Sequence, residues 1–96
     1  MTRNRVLAIR AQLIAAFAPT ELEVVDDSHK HKGHPGASDG RGHFSVKIIS
    51  PHFAGRKPIE RHRMVYKVLD SLLKTDIHAL SVRAAATEED LLKKGN

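Results

Sequence analysis

Apolar residues recur along the first part of the chain at Val6, Ile9, Leu13 and Phe17, flanked by Leu7 and Ile14, while Arg5, Arg10 and Gln12 fall elsewhere. Steps of three and four residues trace one face of a helix, so this pattern predicts a helix from Arg3 to Phe17. It must stop before Pro19, because proline disfavours helical backbone in the residue that precedes it. The period then changes. Leu22 and Val24 alternate with Glu21 and Glu23, the two-residue repeat of a strand, up to Asp26-Asp27. Phe44, Val46 and Ile48 alternate with Ser45 and Lys47 and predict a second strand, expected to pair antiparallel with the first. Between them, residues 28–42 (SHKHKGHPGASDGRG) hold four glycines, one proline and no large apolar side chain. Such a segment can neither fill a core nor extend a ladder, and it is expected to be a flexible loop, longer than a hairpin needs.

Ser50-Pro51 reads as a cap followed by proline at the first helical position, opening a short turn through Phe53 that Gly55 ends. A longer helix is expected after Pro58. Ile59, Val65, Leu69, Leu72 and Leu73 form its buried stripe, and Arg56, Glu60, Arg63, Lys67, Asp70 and Lys74 trace the opposite side. Residues 77–85 alternate again, with His78, Leu80 and Val82 on one side and Ile77, Ala79 and Ser81 on the other, which predicts a third strand. Thr87-Glu88-Glu89-Asp90 resembles a capping box with Asp in place of Glu, and opens a short terminal helix and tail over residues 87–96. The expected architecture is one α+β domain over residues 1–96 in α-β-β-α-α-β-α order, a three-stranded sheet with helices packed on one face.

Composition narrows the chemistry. At 96 residues there is room for one core. Cysteine is absent, which excludes disulfides, thiolate catalysis and zinc sites of the Cys-containing kind. No apolar run approaches the roughly 20 residues of a membrane span, and the N-terminus lacks a signal-like apolar core, so a soluble cytoplasmic protein is expected. Residues 28–67 carry nine Lys/Arg against two acids, and six of the seven histidines. A basic surface of this kind can steer phosphate groups or an acidic partner.

The candidate chemistry rests on histidine. His29, His31 and His34 sit in the loop and His43 at its far end; neutral imidazoles gathered there could hold a borderline metal. His78 opens the third strand and should present its ring at a sheet edge. Arg61-His62-Arg63 lies in the first turns of the long helix, where successive residues rotate by about 100°, so the two arginines should flank a histidine that faces inward or packs on a neighbouring element. No serine sits in a nucleophile elbow and no phosphate-binding glycine fingerprint is present, so an enzyme is not expected.

Taken together, Leu22-Glu23-Val24-Val25-Asp26-Asp27-Ser28, Gly42-His43-Phe44, Phe53-Ala54-Gly55, Arg61-His62-Arg63-Met64-Val65-Tyr66 and Ile77-His78-Ala79-Leu80-Ser81-Val82 resemble the BolA family in order and spacing, over nearly the whole chain. The resemblance implies a fold similar to class II KH domains. It also implies a monothiol glutaredoxin as partner, in a heterodimer whose bridging 2Fe-2S cluster takes ligands from glutaredoxin, glutathione and the BolA-type protein. The isolated chain would then be a monomer without the cluster. His78 matches the family's ligand histidine in the His-Ala-Leu element, and His31 matches the loop position where members supply His or Cys; His34 and His29 lie close by as loop alternatives. Bacterial relatives are also described as DNA-binding transcriptional regulators. Under that alternative, Arg56, Lys57, Arg61, Arg63 and Lys67 would contact phosphates.

Overall fold

The structure, a computed structural model, describes residues 4–28 and 42–92. Helix α1 spans Arg5–Phe17. It starts at Arg5 because the Asn4 side chain caps it, accepting from the Leu7 N–H at 3.1 Å. Ala18 ends it in the left-handed region, φ 43°, with its N–H donating to the Ile14 carbonyl. Ile9, Leu13 and Phe17 are buried, whereas the flanking Leu7 and Ile14 are exposed.

Strands β1 (Glu21–Asp26), β2 (Gly42–Ile49) and β3 (Ile77–Ala85) form one sheet in the order β1-β2-β3. β1 pairs antiparallel with β2, as expected, in a register that sets Leu22 opposite Ile48 and Val24 opposite Val46. β2 pairs parallel with β3. A parallel neighbour needs a crossover, and here it is a 3-10 turn (Pro51–Phe53), α2 (Pro58–Val68) and α3 (Asp70–Thr75). The final helix, α4, is Glu88–Leu92.

One face of the sheet carries Leu22, Val24, Phe44, Val46, Ile48, Leu80, Val82 and Ala84, which pack with Ile9, Leu13, Phe17, Phe53, Val65, Leu69 and Leu72 of the helical layer. The other face is polar. Lys47 bonds there to Glu21 at 3.0 Å and approaches Glu23 at 3.9 Å. The hydrogen bond to Glu21, with that carboxylate's charge, holds the Lys47 pKa above its ordinary value.

Three expectations need correction. The helix after Pro58 is not continuous: Leu69, at φ −93° and ψ 12°, separates α2 from α3, and the bend leaves both Leu69 and Leu72 buried. Ile59 is 54% exposed and lies outside the stripe. Six residues before Val65, it points about 120° away from that side chain at 100° per residue. In β3 the two sides are reversed at the start. Ile77 joins the core and His78 is exposed, because the register shifts from Gly42 opposite Ile77 to His43 opposite Ala79. His78 is the extra residue of a β-bulge.

Two polar anchors hold the ends of these elements. Ser50, fully buried, donates its hydroxyl to the Phe17 carbonyl at 2.7 Å, accepts from the His52 N–H at 3.1 Å, and donates its own N–H to the Ala85 carbonyl at 2.9 Å. It thus ties the end of α1, the 3-10 turn and the end of β3 together. At α4, Thr87 caps the Asp90 N–H at 3.0 Å, while the Asp90 carboxylate accepts from the Ala86 N–H at 2.9 Å. No helix of the described residues is long and apolar enough to cross a membrane.

Candidate functional site

The bulge at the start of β3 sets the site. It turns His78 out of the sheet, and parallel pairing places β2's first residues beside it, so the His43 and His78 rings lie 5.1 Å apart between centroids with their planes at 59°.

Backbone bonds hold this corner from both sides. The His43 N–H donates to Ser28 Oγ at 3.1 Å and its carbonyl accepts from the Asp27 N–H at 2.8 Å. The Asp26 carboxylate accepts from the Ser28 N–H at 2.9 Å, the Ser45 hydroxyl donates to the Asp27 carboxylate, and the Gly42 N–H donates to the Asp76 carbonyl at 3.0 Å. Asp76, directly before β3, is buried; its carboxylate accepts from Thr75 Oγ1 at 2.5 Å and lies 3.6 Å from Arg5 Nε. Glycine is required at position 42, where a Cβ would stand 2.6 Å from Ser28 Oγ and 2.8 Å from the Phe44 ring. The two ends of the histidine-bearing connection, Ser28 and Gly42, therefore meet at the His43–His78 pair.

His29, His31 and His34 lie outside the described residues. Among the described residues no group of three or more histidines and carboxylates is arranged to hold a metal ion. Two neighbouring imidazoles can supply part of a coordination shell and cannot complete one, so the donor set suits a metal centre shared with ligands from elsewhere. Sequence reasoning set His43 among the loop histidines without linking it to His78. The phase of β2 carries the missing signal: Phe44 faces the core, so His43 must face the opposite side, where the bulge puts His78.

The basic candidates divide. Arg56, Lys57, Arg63 and Lys67 are exposed on α2 and the segment leading into it. Arg61 is not: its side chain is 14% exposed, and Nη1 donates to the Ala84 carbonyl at 3.1 Å and to Asp90 at 2.8 Å. His62 packs on β3 as expected, Nε2 3.1 Å from the Val82 carbonyl, and the Tyr66 hydroxyl donates to the Leu80 carbonyl at 2.8 Å.

Residues 13–89 match the family model described as BolA-like protein. The DNA-binding transcriptional regulator BolA of Escherichia coli (strain K12) is 40% identical over 89 residues, covering 93% of this chain and 79% of that protein. SufE-like protein 1, chloroplastic/mitochondrial, of Arabidopsis thaliana is 38% identical over 91 residues, which cover 90% of this chain but only 24% of that protein. The solved structure of the BolA domain of SufE1 from Arabidopsis thaliana superposes with a TM-score of 0.76 at 38% identity, covering 93% of this chain and 98% of that one. With a family match that spans most of the fold just described, and relatives similar in both sequence and structure, the chain belongs to the BolA family.

Proposed function

We propose that this protein is an adaptor that pairs with a monothiol glutaredoxin to bind, sense or carry a bridging 2Fe-2S cluster, with His78 and His31 as its own ligands. The supporting observation is the exposed bulge residue His78, its ring 5.1 Å from His43, at the corner where the histidine-bearing connection begins and ends. His31 follows Ser28 by three positions, a tether of at most about 10 Å, which keeps it within reach of this corner; His29 and His34 compete from the same connection. The thiolates absent from this chain would come from glutaredoxin and glutathione. Imidazole in place of thiolate removes negative charge, so the shared cluster would have a raised potential relative to an all-thiolate one. Each ligand histidine must present an unprotonated nitrogen to the cluster.

Co-purification with a monothiol glutaredoxin and glutathione tests the reading. The complex is expected to be coloured, and His78→Ala and His31→Ala should each shift or abolish the visible absorption bands. Unchanged bands in both variants reject the ligand assignment, and a colourless wild-type complex rejects the cluster.

A second reading, DNA binding, is favoured by the exposed set Arg56, Lys57, Arg63 and Lys67 and by the similarity to the DNA-binding transcriptional regulator BolA of Escherichia coli. Arg61, bound to Ala84 and Asp90, would act here through the fold. Between the 3-10 turn and α2 the sequence holds one glycine, Gly55, so a Gly-x-x-Gly backbone grip is not available and binding would be electrostatic. Lys57→Gln or Lys67→Gln should then lower the salt slope of duplex binding by about one unit each. Failure to bind duplex at about 50 mM salt removes this reading.

A further inference from the structure

β3 is an edge strand, and an edge strand normally offers a row of backbone donors and acceptors to any incoming chain. In this protein the acceptors are taken. The Ala85 carbonyl points inward, to the Ser50 N–H, so Ala84, Val82 and Leu80 point their backbone groups outward. Each of those three carbonyls is bonded by a side chain of α2: Ala84 by Arg61, Val82 by His62 and Leu80 by Tyr66.

The spacing explains the sequence motif. α2 runs against β3, and one helical turn of four residues rises about 6 Å, close to the roughly 6.6 Å between alternate residues of a strand. His62 and Tyr66, four apart, therefore meet Val82 and Leu80, two apart. Arg61, one position earlier and longer, reaches the next carbonyl and continues to Asp90. Because a carbonyl only accepts, His62 carries its proton on Nε2. The outward N–H groups of the same three residues face away from β2, so the edge offers its donors openly while each of its acceptors is covered by a side chain.

We infer that Arg61, His62 and Tyr66 are a lock on a latent pairing surface, and that the surface, once unlocked, takes the same edge of a second copy of this chain. The outward positions are symmetric about Val82. Two copies related by a two-fold axis would set Val82 opposite Val82 and Leu80 opposite Ala84, and every outward donor would meet an outward acceptor. With a side chain seated on each outward carbonyl, an incoming strand must displace it to reach the acceptor, and pairing fails. Arg10 Nη1 caps the Leu22 carbonyl of the other edge strand, β1, at 3.2 Å in the same manner.

The test is the full chain with His62→Ala and Tyr66→Phe together, which frees the Val82 and Leu80 carbonyls; both residues are exposed, and Arg61 is kept because it also holds α4, so the Ala84 carbonyl stays bonded and pairing rests on the other two. Sedimentation across a concentration series should show wild type as one copy and the double variant doubling in mass, with amide exchange slowed at Leu80 and Val82. His62→Gln with wild-type Tyr66 restores a donor to Val82 and should remain a single copy. Tyr66→Phe alone removes one hydroxyl and keeps the ring; if the double variant does not fold, slowed Leu80 exchange on raising the concentration of this variant carries the proposal. A folded double variant that stays a single copy with wild-type exchange overturns it. So does a wild type that already pairs through β3, or growth into larger assemblies, which would mean pairing with β1 instead.

Discussion

Phe53→Ala is expected to cost about 3–5 kcal/mol of folding stability, the usual range for removing a fully buried phenylalanine. Phe53 has no exposed surface, and its ring centroid lies 4.9 Å from that of Phe17. It comes from the 3-10 turn and packs on the end of α1 through Phe17. Single domains are stable by roughly 5–15 kcal/mol in total, and the variant should be largely unfolded at mild denaturant concentrations. Urea unfolding followed by circular dichroism would measure this as a lowered midpoint with a similar slope. A loss below about 1 kcal/mol would mean that the 3-10 turn can collapse onto the core, contrary to the packing described.

Ser50→Ala should cost about 1–3 kcal/mol, for a different reason. The substitution removes almost no apolar area. It leaves the Phe17 carbonyl without its 2.7 Å partner in a buried position and removes the cap on the His52 N–H. A buried acceptor stripped of its donor loses its desolvation compensation, which outweighs the modest net value of the bond itself. Ser50 and Phe53 both act on Phe17, so the double variant should lose less than the sum of the two single losses. Additive losses in the same urea experiment would show that the two residues stabilise separate parts of the fold.

The sequence carried the elements and the phase of their faces. Ile9, Leu13 and Phe17 on α1, and the shared face of Leu22 and Val24 on β1 and of Phe44, Val46 and Ile48 on β2, follow directly from the period. What it hid are features that leave the period intact. A two-residue alternation is the same for parallel and antiparallel neighbours, so the pairing direction of β3 is set by the crossover and not by its own residues. Val65, Leu69 and Leu72 keep helical spacing straight through the bend at Leu69. The bulge at His78 inserts one residue into the alternation, so the phase of Leu80 and Val82 carried back along the strand puts His78 on the wrong side. Arg61 has the same residue type as Arg63 two positions later, yet only Arg61 turns toward Ala84 and Asp90. The resemblance to BolA proteins read from short motifs agrees with the family match over residues 13–89.

The parallel pairing of residues 42–49 with residues 77–85 also governs when the site can exist. Hairpin contacts and helices form from residues near one another in the chain, but His43 meets His78 only after the whole crossover has been wound and docked. Contacts of such long sequence separation are slow to form because the entropy of closing the intervening chain must be met first. The two imidazoles are thus brought together by the same event that completes the sheet. A nascent or partly opened chain has the histidines but not the pair, so a ligand that needed both rings would bind only the folded domain.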